Sequence, residues 1–395
     1  MSTFMEQWAL LLAPNRKISA GVKLDPLVEG RNPFLADYDR IIFSSSFRRL
    51  ARKTQVHPLV RNDHIHNRLT HSLEVSCVGR SLGLGVGAAL RQRGDLPPDY
   101  TPDHLGQIIQ AACLAHDIGN PPFGHAGEEA IRDWFKDSGH REQYFKNLQP
   151  AEWADFTAFD GNAQGFRVIN ALENNKDRGG FRLTFPVIAA LVKYPRSAYE
   201  AQGVGKSKFN FYTAERALFA EIFGEMGLAS GGGWRRHPLS YLLEAADDIC
   251  YRIIDMEDAR ELRIISYADF KDAMAPLLDI QCLDDPRLDS MDSDRRRTSM
   301  LRTTAMGRMI PSITQTFMDN YEAIMQGSLE GSLLNHARDD VAGFMSAAGR
   351  VFNSKIMNNQ QKTALEIGTY TLYRRLLDVF IPACFNYTRD DLMSY

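Results

Sequence analysis

The sequence predicts an all-α fold, and three observations carry the prediction. Apolar residues recur at three- and four-residue spacing along most of the chain. Few stretches alternate with period two, as half-buried strands would. Gly- and Pro-rich stretches stand between the periodic segments as loops. Taken in order, the periodic segments fall near 37–53, 66–92, 104–118, 126–136, 161–174, 213–226, 238–262, 299–325, 339–353 and 359–382. Between them, GDLPPDYTPD at 94–103, the Gly/Lys stretch at 203–208 and ASGGGW at 229–234 read as loops. The acidic-to-basic run CLDDPRLDSMDSDRRR at 282–297 reads as another, with Arg295–Arg297 in an exposed charged loop. No internal repeat or low-complexity tail is present. One irregular helical domain with a C-terminal helical subdomain from about residue 265 accounts for the pattern.

Composition narrows the class. A chain of 395 residues with 44% hydrophobic and 24% charged residues has the makeup of a soluble globular protein able to bury a sizeable core. No apolar run approaches the ~20 residues of a membrane span. The opening MSTFMEQWALLLAPNRK lacks the basic lead and the small-residue cleavage site of a secretory signal. Cys77, Cys113, Cys250, Cys282 and Cys384 are scattered and never form a C-x-x-C pair, which fits a reducing cytoplasm. A net charge of −3 provides no global attraction for polyanions, so any phosphate-rich ligand needs locally concentrated positive charge.

The strongest chemical signal is CLAHDIGNPPFGHAGEEAI at 113–131. Adjacent His116 and Asp117 lie about 100° apart on a helix, so they converge on one ion most easily at a helix end. Gly119 is expected to cap that end, and Pro121-Pro122 forbids continuation. Gly124 then allows a tight turn, His125 opens the next helix and Glu128 follows one turn later. Two further segments offer ligands. His71 lies on a helix one turn after Arg68, which is placed to reach a phosphate. In PLSYLLEAADDICYRIIDMEDA at 238–259, Asp247, Tyr251 and Asp255 recur at i, i+4 and i+8 and form one stripe in an apolar segment, where unpaired carboxylates are costly. Asp248 is assigned to an i, i+4 pair with Arg252. Two imidazoles with two carboxylates suit Mn²⁺, Fe²⁺ or Mg²⁺ with open water positions better than a closed structural zinc site. Such an ion polarises a phosphoryl oxygen or activates water.

RIIFSSSFRRLARKTQVHPL (40–59), RLTHSLEV (68–75), HDIGNPPFGHAGE (116–128) and EAADDICY (244–251) together resemble the bacterial deoxyguanosine triphosphate triphosphohydrolase family of the HD-domain superfamily. The resemblance implies an HD-domain helical architecture with additional C-terminal helices. Its expected parts are an N-terminal extension at 1–36, a catalytic core at 37–264 and a C-terminal helical subdomain at 265–395. It implies that His71, His116, Asp117 and Asp247 hold a divalent ion, Mn²⁺ or Mg²⁺ with Fe²⁺ as a further choice. It implies His125 and Glu128 as the catalytic pair and Arg68 as the α-phosphate arginine. Gln55 resembles the reader of the sugar 3′-hydroxyl, and Tyr251 and Asp255 resemble residues at the sugar end. Asn120, Asn162, Gln164, Lys193 and Tyr194 complete the implied nucleotide pocket. Arg48, Arg49, Arg52 and Lys53 gather charge beside Gln55, and Lys206 and Lys208 are further phosphate-binding choices.

The implied reaction is attack of water on the α-phosphorus of a deoxynucleoside triphosphate, dGTP first among them, releasing deoxynucleoside and intact triphosphate. Implied partners are a homo-oligomer (hexamer or tetramer) and a single-stranded nucleic acid or dNTP effector, with no membrane. Two rival readings keep the same metal shell: a nucleoside 5′-monophosphatase or cyclic-nucleotide phosphodiesterase, and an HD-shell nucleic-acid-binding regulator. The first leaves the basic segment at 48–53 unexplained, and the second leaves a complete ligand set without a use.

Overall fold

The computed structural model describes residues 3–17, 31–57, 59, 62–174, 179–357 and 360–386. The N-terminal extension, Pro58 of the 40–59 block and the start of the last expected helix fall partly outside this set. The described residues are helical almost throughout, and the only strands among them are the two-residue pair Ala229–Ser230 and Gly233–Trp234, joined antiparallel.

Two helices form the centre. Asn67 starts Arg68–Arg93 by accepting the Leu69 and Thr70 backbone N–H groups at 3.0 Å each, and left-handed Gly94 (φ 76°) ends it. Pro102, at the first turn where its missing N–H costs nothing, opens Pro102–Ala115. The pair packs antiparallel at very short range, because small residues face one another. A Cβ on Gly83 would lie 2.8 Å from the Gly106 Cα, so any side chain there would force the helices apart. Leu82, Val86, Leu90, Leu105, Ile108 and Ile109 on these two helices are buried, each contributing ~1.5–3 kcal/mol by leaving water.

Pro238–Glu261 packs against both central helices, and Asp294–Asp319 covers Arg68–Arg93. By length and composition Arg68–Arg93 alone among the described residues could cross a membrane, which corrects the expectation that no segment reaches that size. Here it is the core helix, with half of its most apolar window buried in protein. Near the N-terminus, Trp8 is fully buried and donates its indole N–H to the Tyr321 hydroxyl at 2.8 Å, tying Thr3–Leu11 to the C-terminal half. A satellite aromatic core forms where Gln360–Asn386 lies along Gly124–Lys136: Ile131, Trp134, Phe135 and Phe145 pack with Tyr373, Leu377 and Ile381.

Three sequence expectations change. The run at 282–297 is not a single loop. Asp279 and Asp285 cap the short helices Ile280–Leu283 and Pro286–Asp289 through the Cys282 and Arg287 N–H groups. Arg295–Arg297 lie in the first turn of Asp294–Asp319, and Arg295 pairs with Glu261. Of the acidic residues that suggested a solvated loop, Asp285 is a helix cap, and Asp284, Asp292 and Asp294 pair with Lys271, Arg296 and Arg297. The segment 299–325 breaks at Asn320, whose side chain donates to the Thr316 carbonyl at 2.8 Å. ASGGGW at 229–234 closes into the small hairpin.

Candidate metal centre

The HD corner forms where the Pro102–Ala115 helix stops. His116 caps it, and its Nδ1 lies 2.6 Å from the Cys113 carbonyl. That contact places the ring proton on Nδ1 and leaves Nε2 a free lone pair, buried and without a hydrogen-bond partner. The chain turns through 116–119 and bends sharply at Phe123 and Gly124, both left-handed (φ 65° and 55°), before Gly124–Lys136 begins. Gly119 is not the left-handed cap the sequence suggests. A Cβ there would sit 2.0 Å from the Gly165 nitrogen and 2.2 Å from the Gly161 oxygen, so its role is to let another backbone approach.

Three helices meet at this corner. His71, His116 and Asp117 bring ligand atoms within 4.8 Å of one another. Asp247, from Pro238–Glu261, places Oδ1 3.1 Å from His71 Nε2 and 3.4 Å from His116 Nε2. His116 Nε2 is 3.5 Å from Asp117 Oδ1. A buried, unpartnered imidazole nitrogen between two carboxylate oxygens fits a divalent cation, and the mixed nitrogen and oxygen donors fit a hard or borderline ion.

The outward oxygens carry counter-ions. Asp247 Oδ2 accepts from Lys193 at 2.7 Å, and Asp117 Oδ2 accepts from Arg68 at 2.8 Å. The Asn120 amide donates to Asp117 Oδ1. Burial alone would raise both acids. Lys193 outweighs it at Asp247, holding that carboxyl well below its ordinary range. Arg68 and the two imidazoles hold Asp117 at about 2. Both carboxylates are therefore ionised and ready to ligate. The same carboxylates raise His116, against its burial.

His125 stands beside this corner on the rim of a cavity of about 490 Å³ that Asp117 and Asp247 also line. Its side chain is 84% exposed, and Nδ1 lies 3.3 Å from Glu128 Oε2. Glu128 is buried and held from three further sides: the Gly161 N–H at 2.7 Å, Arg132 at 3.0 Å and Lys208 at 3.6 Å. Burial would raise its carboxyl, but His125, Lys208 and the Gly161 N–H keep it at about 2.

Gln55, Arg68, Asn120 and Tyr251 line the same cavity, and Gln55 Oε1 is buried without a partner. Lys193 reaches the centre through Asp247. The structure does not bring the other implied pocket residues to the cavity wall. Asn162 turns back onto Asp160 (2.7 Å), and Gln164 lines a different cavity. The Tyr194 N–H donates to Asn210, and Asp255, at the far end of the stripe, is buried near Asp258 and Arg252. Asp248 does not pair with Arg252. It lines the cavity, and burial lifts its carboxyl to about 7. Arg252 instead lies over the Tyr251 and Phe352 rings. Lys53 donates to the Asn120 carbonyl at 2.6 Å and stitches the HD turn. Lys208 pairs with Asp160 and Glu128, and Arg48, Arg49, Arg52 and Lys206 stay exposed.

Sequence reasoning missed the far wall, formed by Phe352, Met357 and Glu366, and the anchoring of Glu128 by Arg132, Gly161 and Lys208. Only Arg132, at i+4 from Glu128, left a local signal.

The HD-domain family model matches residues 68–152. A deoxyguanosinetriphosphate triphosphohydrolase-like protein of Pseudomonas aeruginosa is 45% identical over 359 residues, covering 90% of this chain and 80% of its own. A protein of the same description from Synechocystis is 41% identical over 345 residues, covering 84% and 76%. A deoxyguanosinetriphosphate triphosphohydrolase of Salmonella enteritidis is 31% identical over 399 residues, covering 88% and 76%.

Proposed function

The chain belongs to the deoxyguanosinetriphosphate triphosphohydrolase-like family of HD-domain phosphohydrolases, and from that premise we propose that it hydrolyses deoxynucleoside triphosphates, dGTP foremost, to deoxynucleoside and inorganic triphosphate. One observation carries the reading: two imidazoles and two ionised carboxylates from three helices converge beside a cavity whose rim holds a His–Glu pair. His71, His116, Asp117 and Asp247 would hold the ion, Mn²⁺ or Mg²⁺, with Fe²⁺ suited to the same donors. When bound, such an ion stabilises charge on a phosphoryl oxygen and lowers the pKa of water.

The chain's own groups supply the rest. Glu128, ionised and fixed, keeps the His125 proton on Nδ1, so Nε2 is the atom that takes or gives a proton at the cavity. Arg68 is pinned to Asp117 by one nitrogen, and its remaining donors serve the α-phosphate oxygens. The unpartnered Gln55 Oε1 accepts from the sugar 3′-hydroxyl, and Tyr251 walls the 2′ position against ribose. Water adds to the α-phosphorus, the bond from phosphorus to the sugar 5′-oxygen breaks, that oxygen gains a proton, and triphosphate leaves whole.

Two further readings accompany this one. The last helix exposes Leu372, Leu376, Val379 and Phe380 along one face, an apolar stripe that supports a homo-oligomer, hexameric or tetrameric. Five free thiols support a cytoplasmic enzyme.

The test is a panel of the four dNTPs with Mn²⁺ or Mg²⁺, with products resolved by ion-exchange chromatography. Equal amounts of deoxynucleoside and triphosphate are expected. Pyrophosphate with nucleoside monophosphate would overturn the assignment.

A further inference from the structure

Gly124–Lys136 has two working faces. His125 and Glu128 serve the metal-centre cavity, while Ile131 and Phe135 line a separate cavity of about 590 Å³. That volume is in the range of small-molecule sites. Its walls are mainly rings, from Phe156, Phe159, Tyr212 and Tyr373, with Leu148 and Leu377 completing the apolar surface.

Beside neutral Gln164 and Thr213, the charged groups of this cavity that lack a counter-ion carry one sign. Arg167 lines it, but its guanidinium is paired with both oxygens of Glu215 (2.9 and 3.2 Å) and lies over the Tyr212 ring at 4.5 Å. Its charge is already matched. Two carboxylates remain, Glu152 and Asp155. Glu152 Oε2 accepts the Gln149 N–H at the start of its own helix, and Asp155 Oδ2 accepts the Thr213 N–H from a segment 58 residues away. Asp155 Oδ1 is buried with no hydrogen-bond partner. A buried carboxylate oxygen without a donor is costly and calls for one. The cavity repels phosphate and favours a flat ring that can stack on aromatic walls while donating N–H bonds to acid.

We propose that the cavity between the Gly124–Lys136, Pro150–Thr157 and Gln360–Asn386 helices is a second ligand site, taking a planar aromatic amine or amidine without phosphate, with Asp155 as the acceptor that reads its N–H group. This site does not depend on the triphosphohydrolase reading. It does share structural elements with the metal centre: Gly161, whose N–H anchors Glu128, opens the helix that carries Gln164 and Arg167 into this cavity.

Proflavine, a flat fluorescent diamine, is a suitable probe, with an anthracene carboxylate of similar size as the anionic control. Fluorescence titration of the full chain, without any nucleotide, should show saturable proflavine binding. Ala214→Trp places bulk at the exposed rim and should abolish it without disturbing the core. Asp155→Asn keeps an acceptor for the Thr213 N–H and should weaken binding by about tenfold, the loss of one charge-assisted hydrogen bond. The carboxylate control should bind at least about tenfold more weakly than proflavine. No saturable binding, unchanged binding in Ala214→Trp, unchanged binding in Asp155→Asn, or equal binding of the anion would each overturn the proposal.

Discussion

Replacing Lys193 with Met tests whether the metal centre is organised by charge. Lys193 Nζ lies 2.7 Å from Asp247 Oδ2, with side chains only 13% and 21% exposed. Met preserves much of the stem and its packing and removes the ammonium. Breaking one member of a buried pair costs about 3–5 kcal/mol, because the other charge is left unmatched. Asp247 keeps the His71 Nε2 contact at 3.1 Å, which can donate a proton to it, so the lower end applies. The metal-free variant should lose about 3 kcal/mol in urea unfolding. With saturating Mn²⁺ the deficit should shrink below about 1 kcal/mol, since a divalent ion restores positive charge beside the carboxylate and binds only the folded chain. Metal analysis of each sample fixes the loading. Equal losses with and without Mn²⁺, or no loss in the metal-free protein, would show that Lys193 is not the counter-ion that organises Asp247.

His125→Ala should lower dNTP turnover by roughly 10²–10⁴ while leaving metal content intact, because the ring touches no ligand; near-normal turnover would remove it from proton transfer. Gly119→Ala should cost about 3 kcal/mol, given a Cβ 2.0 Å from the Gly165 nitrogen, and a thermal midpoint equal to wild type would refute the close approach. His66 sits between Asp258 (2.7 Å) and Glu74 (3.2 Å); burial opposes its charge, but the two carboxylates raise it from 6.5 to about 10. The folded chain thus holds a proton that the unfolded chain releases, so this stabilisation is complete below pH 6.5 and lost as pH rises through about 10. His66→Gln should be destabilised by about 2 kcal/mol at neutral pH, with the gap to wild type closing toward pH 10; a gap constant with pH in urea unfolding would contradict this.

The long helices were legible because tertiary packing repeats along them. Arg68–Arg93 and Pro238–Glu261 each bury a face over several turns, and their starts lie in the sequence as the Asn67 cap and the first-turn Pro238. Short helices such as Pro150–Thr157, Phe185–Leu191 and Ala198–Gly203 were not, since two turns are too few to establish a period. The metal-centre corner shows the same division. The stripe of Asp247, Tyr251 and Asp255 at i, i+4 and i+8 in an apolar helix singles out Asp247, whereas its partner Lys193 stands next to Tyr194 with no helical repeat to mark it. Local spacing also misleads where a distant ring competes. Arg252 is at i+4 from Asp248, yet the Phe352 ring, 100 positions later, draws it away and leaves the acid facing the cavity. Gly119 likewise looks like a cap in one dimension, and only the approach of Gly161 and Gly165 reveals why nothing larger fits.

The two ligating carboxylates of the metal centre each meet a cation of the protein, and that pairing bears on which substrates the site would favour. Asp117 faces Arg68 and Asp247 faces Lys193, so two carboxylates meet two cations. Asp248 on the cavity wall, lifted to about 7 by burial, adds only part of a charge at neutral pH. A divalent ion held by the ligating set would therefore bring positive charge beyond what its paired carboxylates cancel, in a largely buried cleft where low dielectric makes unmatched charge expensive. A triphosphate carries enough negative charge to cancel the excess; a neutral ligand cancels none and a monophosphate at most part. Ion and polyanion must therefore strengthen each other's binding, and by linkage the gain is the same in either order. Lys193 and Arg68 thus hold the two carboxylates ionised, and under the proposed function they would leave the charge of a bound ion for the substrate to meet. A site whose carboxylates lacked such partners would be neutralised by the ion alone, and it would have no electrostatic reason to prefer a triphosphate over a smaller ester.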